Sequence, residues 1–464
     1  MSPCSITNNL LLRNLSIFFR KWTTKVYTIA AFALILFLSY AFLIRSNPDS
    51  TLSPSTSTSL LIPFTPLTNF KQIGALCLDG SAPGYHFQKG FGSGSRNWLL
   101  HLEGGGWCSS IASCSYRKTT ALGSSNYMDS PVLFSGMLSS VASQNPDFFN
   151  WNKVKIRYCD GASFAGHPES EKGSGLFFRG QIIWETIMNE ILSIGMSKAK
   201  QLILLEQKAI IVPSFYHLRI SVYRFSSQEN LHAVAQLALL TGCSAGGLAS
   251  LIHCDNFRHL LPKGATVKCL ADAGFFLDEK DILGNSTMKS FYKDVVQLQG
   301  VAKSLHKKCL AKMEPSKCLF SSEILKNIKT PVFLVHPAYD FWQIHNILVP
   351  QGSDPHHRWK SCRLNIQSCD ANLMDTLNSF RSSLLRTVNE FQQRKDIGMF
   401  IDSCFIHCQT LIGETWYSPN SPKINNKTIA ESVADWFFDR QAVKLIDCPY
   451  PCNPTCHNLD FTRV

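Results

Sequence analysis

Acidic side chains are the scarce class in this 464-residue chain: 33 Asp and Glu stand against 45 Lys and Arg, a formal net charge of +12. Five of the basic residues lie at or before Arg45, where there is no acid, so the remainder carries a milder excess of +7. That excess favours approach to an anionic partner and serves solubility equally well. The chain has no nucleic-acid motif, no Gly-rich phosphate loop and no H-E-x-x-H zinc pair. No unit of about 20–50 residues recurs, which excludes solenoids and propellers. No nucleic-acid partner, metal or cofactor is expected.

Charge is also missing from Val26 to Ile44, which is long enough to cross a bilayer. A cleaved signal peptide has a shorter apolar core, about 7–15 residues, and leaves through small residues that Tyr40–Arg45 does not offer. The run therefore reads as a signal anchor. Arg13, Arg20, Lys21 and Lys25 precede it, which puts residues 1–25 in the cytoplasm and the remainder in the lumen or outside. Residues 45–69 are expected as a Ser/Thr/Pro-rich linker and 70–464 as one folded domain. Cys4 alone of 17 cysteines precedes the anchor, and the even remainder lies where disulfides persist. The spacings Cys404-x-x-x-Cys408 and Cys448-Pro-Tyr-Pro-Cys-Asn-Pro-Thr-Cys456 resemble metal ligands, but disulfides suit that compartment better. Asn285-Ser-Thr and Asn426-Lys-Thr are glycosylation acceptors on the same side.

Trp98–Leu102, Val154–Tyr158, Leu237–Leu240, Pro331–Val335 and Gly398–Ile401 read as strands, and Gly180–Ile194 as an amphipathic helix. Strands alternating with helices imply a mostly parallel sheet. From Gly195 to Leu237 about forty residues intervene, where helix-to-strand connections usually take about 2–6.

Leu237–Ser250 carries the chemistry. An apolar strand runs into Gly242-Cys-Ser-Ala-Gly246 and then a helix-like segment, the pattern of a nucleophile elbow that exposes Ser244 at a strained turn. A serine needs an imidazole to take its proton, and the imidazole needs a carboxylate to orient and stabilise it. Pro331–Asp340 and Met399–His407 are strand-like runs ending in Asp340 and His407, which supplies the chain order Ser, Asp, His. Asp272 competes for the acid, and His336, His345, His356 and His357 for the base. Oxyanion donors are expected from the backbone of Gly105 and Gly106, in His101-Leu-Glu-Gly-Gly-Gly-Trp-Cys108, and of Ala245. Trp107, Arg157 and Asp160 are candidate substrate contacts, with ordinary ion pairing an equal reading for Arg157 and Asp160. The fold class is an α/β-hydrolase-like domain: a mostly parallel sheet flanked by helices and rich in disulfides.

Together Cys77-Leu-Asp-Gly-Ser, Leu102-Glu-Gly-Gly-Gly-Trp-Cys108, Arg157-Tyr-Cys-Asp-Gly161, Gly242-Cys-Ser-Ala-Gly-Gly247, Asp272-Ala-Gly-Phe-Phe276, Ala338-Tyr-Asp340, His407-Cys-Gln-Thr410 and the closing Cys448–His457 resemble the plant pectin acetylesterases, relatives of the Notum carboxylesterases. The resemblance implies hydrolysis of acetyl esters on galacturonan with Ser244, His407 and Asp340 as triad, acetylated pectin as substrate, and a monomeric enzyme without cofactor. It places the domain in the secretory pathway and cell wall, membrane-anchored where the first 45 residues are retained. The family pattern lacks Leu202–Gln236, which reads as an atypical insertion, a retained intron translated in frame. Two other functions remain open: a Notum-like protein fatty-acyl esterase, and a catalytically silent polysaccharide-binding protein.

Overall fold

The computed structural model describes residues 61–168, 174–196 and 237–461. The expected tail, the anchor and the insertion at 202–236 lie outside them. Eleven strands form among the described residues: β1 (Leu61–Ile62), β2 (Phe64–Pro66), β3 (Gly84–Gln88), β4 (Trp98–Leu102), β5 (Val132–Leu133), β6 (Asn152–Ile156), β7 (Leu237–Cys243), β8 (Thr266–Asp272), β9 (Val332–Pro337), β10 (Ile397–Asp402) and β11 (Lys444–Ile446). β1 pairs with β5, and the rest form one nine-stranded sheet in the order β11-β10-β9-β8-β7-β4-β6-β3-β2. Every pair from β11 to β6 is parallel, whereas β3 runs antiparallel to β6 and β2.

β4, β9 and β10 are buried at every position, as expected of strands covered on both faces. Successive side chains point to opposite faces. Leu99, Leu239, Leu270, Phe333 and Phe400 enter one core with Val433 and Phe437 of the helix Ile429–Phe437. Leu100, Leu240, Leu334 and Met399 enter a larger core on the opposite face, with Ile183, Trp184, Leu248 and Phe257 from the helices Gly180–Ile191 and Ala245–Leu260.

The expected strands are present, with ends moved by a few residues. The helix expected to reach Ile194 is regular to Ile191 and passes into a wider π-helical turn, Leu192–Met196, whose Gly195 has φ 148°. The larger difference lies at the start, because pairing begins at Leu61, inside the stretch read as linker up to residue 69. β2 ends in Pro66 and occupies the sheet edge, where the missing N–H of proline does no harm. Proline there marks an edge strand and not a solvated spacer.

Eight disulfides join all sixteen cysteines from Cys77 to Cys456. Asp402 with Cys404 and Cys456, and Asp447 with Cys448 and Cys452, bring candidate metal-ligand atoms together. Each of those cysteines is bonded to another cysteine, so none offers the thiolate that zinc takes.

Candidate active site

The strands β4, β7, β8, β9 and β10 are adjacent, and each sends its carboxyl end toward one edge of the sheet. Ser244 directly follows β7, with φ 59° and ψ −125°, a conformation rarely held by a residue with a side chain. The neighbouring glycines permit this turn. A Cβ on Gly242 would lie 2.1 Å from the Gly246 carbonyl oxygen, and one on Gly246 would lie 2.1 Å from that of Leu102. The Ser244 N–H donates to the Asp272 carbonyl at 2.8 Å, which ties the elbow to the next strand.

Asp340 follows β9, and its carboxylate is buried. One oxygen accepts from the Gln343 N–H at 2.9 Å, and the other faces His407 Nδ1 at 2.8 Å. His407 follows β10, and its Nε2 is buried without a hydrogen-bond partner. Ser244 and His407 line one cavity of about 350 Å³ with His101, Glu103, Gly104, Gly105, Gly106, Lys155, Trp342 and Leu411. The structure thus brings together residues separated by more than 160 positions.

Gly105 and Gly106 have φ of 136° and 63°. The Gly105 carbonyl accepts from Arg117 Nη1 at 2.7 Å, and the Gly106 carbonyl from the Tyr158 hydroxyl at 2.8 Å. No acceptor among the described residues takes the N–H of Gly105, Gly106 or Ala245. Ser163 completes the arrangement: its N–H donates to the Tyr158 hydroxyl, its hydroxyl donates to the Ala245 carbonyl, and it accepts from Trp107 Nε1. The backbone of both expected donor segments is thereby held by one side-chain network. Arg117 and Ser163 lie in none of the motifs, and Tyr158 lies within Arg157-Tyr-Cys-Asp-Gly161 without a role readable there, so sequence reading missed all three.

A disulfide between Cys243 and Cys408, with Cα atoms 5.7 Å apart, joins the residue before Ser244 to the residue after His407. Cys404 pairs with Cys456 and fixes the other side of the histidine loop. The Asp272 carboxylate accepts from the N–H groups of Gln409 and Thr410 and from the Thr410 hydroxyl, each at 2.7 Å. Asp272 therefore holds both the elbow and the histidine loop while its own side chain stays buried.

Trp107, Arg157 and Asp160, expected against substrate, do not line the cavity. Trp107 packs edge-on against Phe276, Tyr292 and Trp342. Arg157 is buried and spent on Glu103 at 2.9 Å and on the Asp129 carbonyl. Asp160 is fully buried, pushed up to about 6 by loss of water, and accepts from the N–H groups of Ala162 and Phe164. All three support the site from behind, because their hydrogen bonds run to the loops that frame it and none of them lines the cavity. Trp342 and Lys155 do reach the cavity; the Trp342 ring stacks on His407 with centroids 6.2 Å apart. Of the competing residues, His336 is buried and pushed down to about 4 by burial, and His356 and His357 are exposed. Asn285 and Asn426 are exposed.

A family pattern described as Pectinacetylesterase matches residues 55–219 and 226–457. The chain belongs to the pectinacetylesterase family. This member is 56% identical to Pectin acetylesterase 5 of Arabidopsis thaliana over 455 residues, 96% of this chain and 97% of that one. Pectin acetylesterase 4 of the same plant is 54% identical over 439 residues, 94% of this chain and 98% of that one. The mouse palmitoleoyl-protein carboxylesterase NOTUM is 26% identical over 415 residues, 82% of this chain and 70% of that one. Among solved structures, the Wnt deacylase Notum from Drosophila superposes with a TM-score of 0.63 at 20% identity, over 86% of this chain and all of that one, and so shares its fold.

Proposed function

We propose that this pectinacetylesterase-family chain hydrolyses acetyl esters on the galacturonan of pectin and releases acetate. The observation that carries the reading is the shared cavity of Ser244, His407 and the three-glycine loop, with the Asp340 carboxylate 2.8 Å behind the imidazole. Ser244 Oγ attacks the acetyl carbonyl as His407 Nε2 takes its proton, and Asp340 stabilises the imidazolium. The N–H groups of Gly105, Gly106 and Ala245 receive the negative oxygen of the tetrahedral intermediate. Its collapse breaks the ester bond, and the sugar oxygen leaves with the proton from His407. Water, activated by the same imidazole, then attacks the acetyl-serine, releasing acetate and restoring Ser244. Beyond the ester and water, these steps use only groups of the chain.

The Notum-like alternative requires room for a long apolar acyl chain. Here Trp107, Phe276, Tyr292 and Trp342 pack against one another beside the cavity, and Lys155, Glu103 and His101 add polar groups to its wall. That packing favours a short acyl group. The disulfides and the plant relatives support passage through the secretory pathway to the cell wall. The anchor, the glycans at Asn285 and Asn426 and a monomeric state belong to the same reading.

Acetate release from acetylated pectin tests it directly. The wild-type protein should release acetate, and Ser244→Ala should lose several orders of magnitude in kcat. Equal release by the two would refute the catalytic assignment, and no release by either would leave the silent polysaccharide-binding reading. A series of nitrophenyl esters separates the enzymatic alternatives, since activity should fall steeply beyond the shortest acyl chains.

A further inference from the structure

A second cavity, of about 380 Å³, is lined by His345, Gln351, Asp354, His357, Lys360 and Arg363 among others. It is linked to the catalytic cavity through the helical segment that follows Asp340. Trp342 faces Ser244's cavity, and His345, one turn farther along, faces this one. Residues three apart on a helix are neighbours, with Cβ atoms about 5–6 Å apart. The two cavities therefore flank one helical segment, the one that begins at Asp340.

Basic side chains outnumber acids in the lining of this second cavity, two to one. Neither the Lys360 ammonium nor the Arg363 guanidinium has a carboxylate partner among the described residues. The acid on the wall, Asp354, is already engaged: one oxygen accepts from the Arg358 N–H at 3.0 Å and the other from the Trp359 N–H at 2.8 Å. Arg358 lies nearby but pairs with Asp370. The cationic residues sit on a braced element, because the helix Lys360–Leu364 is tied through Cys362 to Cys369 and is preceded by the buried Trp359. The His345 ring is fixed by its Nδ1 contact with the Phe341 carbonyl at 2.8 Å. Two long cations held on a rigid support, with imidazole and amide groups beside them, suit a carboxylate whose remainder is a hydroxylated ring. The volume lies at the small end of ligand cavities and suits about one such ring.

We propose that this cavity is a second sugar-binding subsite, which grips the free carboxylate of a uronate unit in the same polymer whose acetylated unit occupies the catalytic cavity. The inference rests on the pectin reading above and extends it: unesterified uronate groups along the chain raise affinity at a distance from the ester that is cut. Lys360 and Arg363 contact substrate without taking part in the chemistry.

The test uses the full chain, with single and double substitutions Lys360→Gln and Arg363→Gln. On acetylated polygalacturonate the double variant should raise KM roughly tenfold, with kcat within about twofold. On 4-nitrophenyl acetate, which carries no carboxylate, neither constant should move. Lys360→Arg should keep the wild-type KM. Added salt should raise the wild-type KM on the polymer and leave that of the double variant nearly flat. An unchanged KM on the polymer, or an equal loss on both substrates, overturns the subsite. Binding of unacetylated polygalacturonate to the Ser244→Ala protein, with and without the two substitutions, keeps the inference separate from the catalytic reading. Should wild-type protein cleave nitrophenyl acetate but no acetylated pectin, the pectin reading falls, and this binding comparison still decides the subsite.

Discussion

At the scale of single residues, the side chains that hold backbone groups in place are as consequential as those that face the cavity. The Tyr158 hydroxyl bonds the Gly106 carbonyl and receives the Ser163 N–H, so it fixes which way the Gly106 peptide points. Removing one donor from an oxyanion site costs about 10²–10³ in rate, and loosening one costs less. Tyr158→Phe should therefore lower kcat on nitrophenyl acetate about tenfold with little change in KM. A shift in KM alone would contradict this role. Asp402 gives a prediction of another kind. Burial pushes its carboxyl from 3.8 up to about 7, and the neighbouring Asp447 and Asp272 add to the rise. The native state thus holds a proton that the unfolded chain has released. The stabilising contribution is complete below about pH 4 and is lost as pH rises through about 7. In Asp402→Asn that decline is absent, so the stability of the variant relative to wild type should climb across this window. Urea unfolding at a series of pH values measures the difference; parallel curves would show that Asp402 does not titrate as described.

At the scale of elements, the turn after β7 and the loop after β10 form one unit through the Cys243–Cys408 disulfide and the Asp272 carboxylate. Replacing both cysteines by alanine should lower stability by about 2–4 kcal/mol, the usual range for such a bond. It should also reduce kcat more than tenfold while far-UV circular dichroism stays native, because the sheet does not depend on this link. Unaltered kcat would mean that hydrogen bonds alone hold Ser244 against His407. Much of this unit was legible in the sequence. Gly242-Cys-Ser-Ala-Gly246 announces a sharp turn because only glycine tolerates backbone 2.1 Å from where a side chain would begin. Asp340 and His407 stand out because each ends a β-rich run. The pairing of Cys243 with Cys408 was not legible, since sixteen cysteines allow far too many combinations. Trp107, Arg157 and Asp160 were read as facing substrate because polar and aromatic residues near glycine loops serve either purpose. Their hydrogen bonds to Ser163, Glu103 and the 162–164 backbone decide the matter, and those are three-dimensional facts.

At the scale of the whole molecule, a sheet with two packed faces leaves its carboxyl edge free for function. The strand runs predicted this arrangement, because strands alternating with helices imply a mostly parallel sheet covered on both faces. The contribution of β1 and β2 escaped notice because Ser, Thr and Pro are common in spacers and on edge strands alike. The bond between residues 243 and 408 also bears on timing. Until those two thiols are oxidised, the elbow and the histidine loop are joined by the hydrogen bonds of Asp272 without a covalent link. A reduced copy thus carries its nucleophile and its base on loops that lack their covalent tie. Hydrolytic competence would rise as this bond forms, in a compartment oxidising enough to form it.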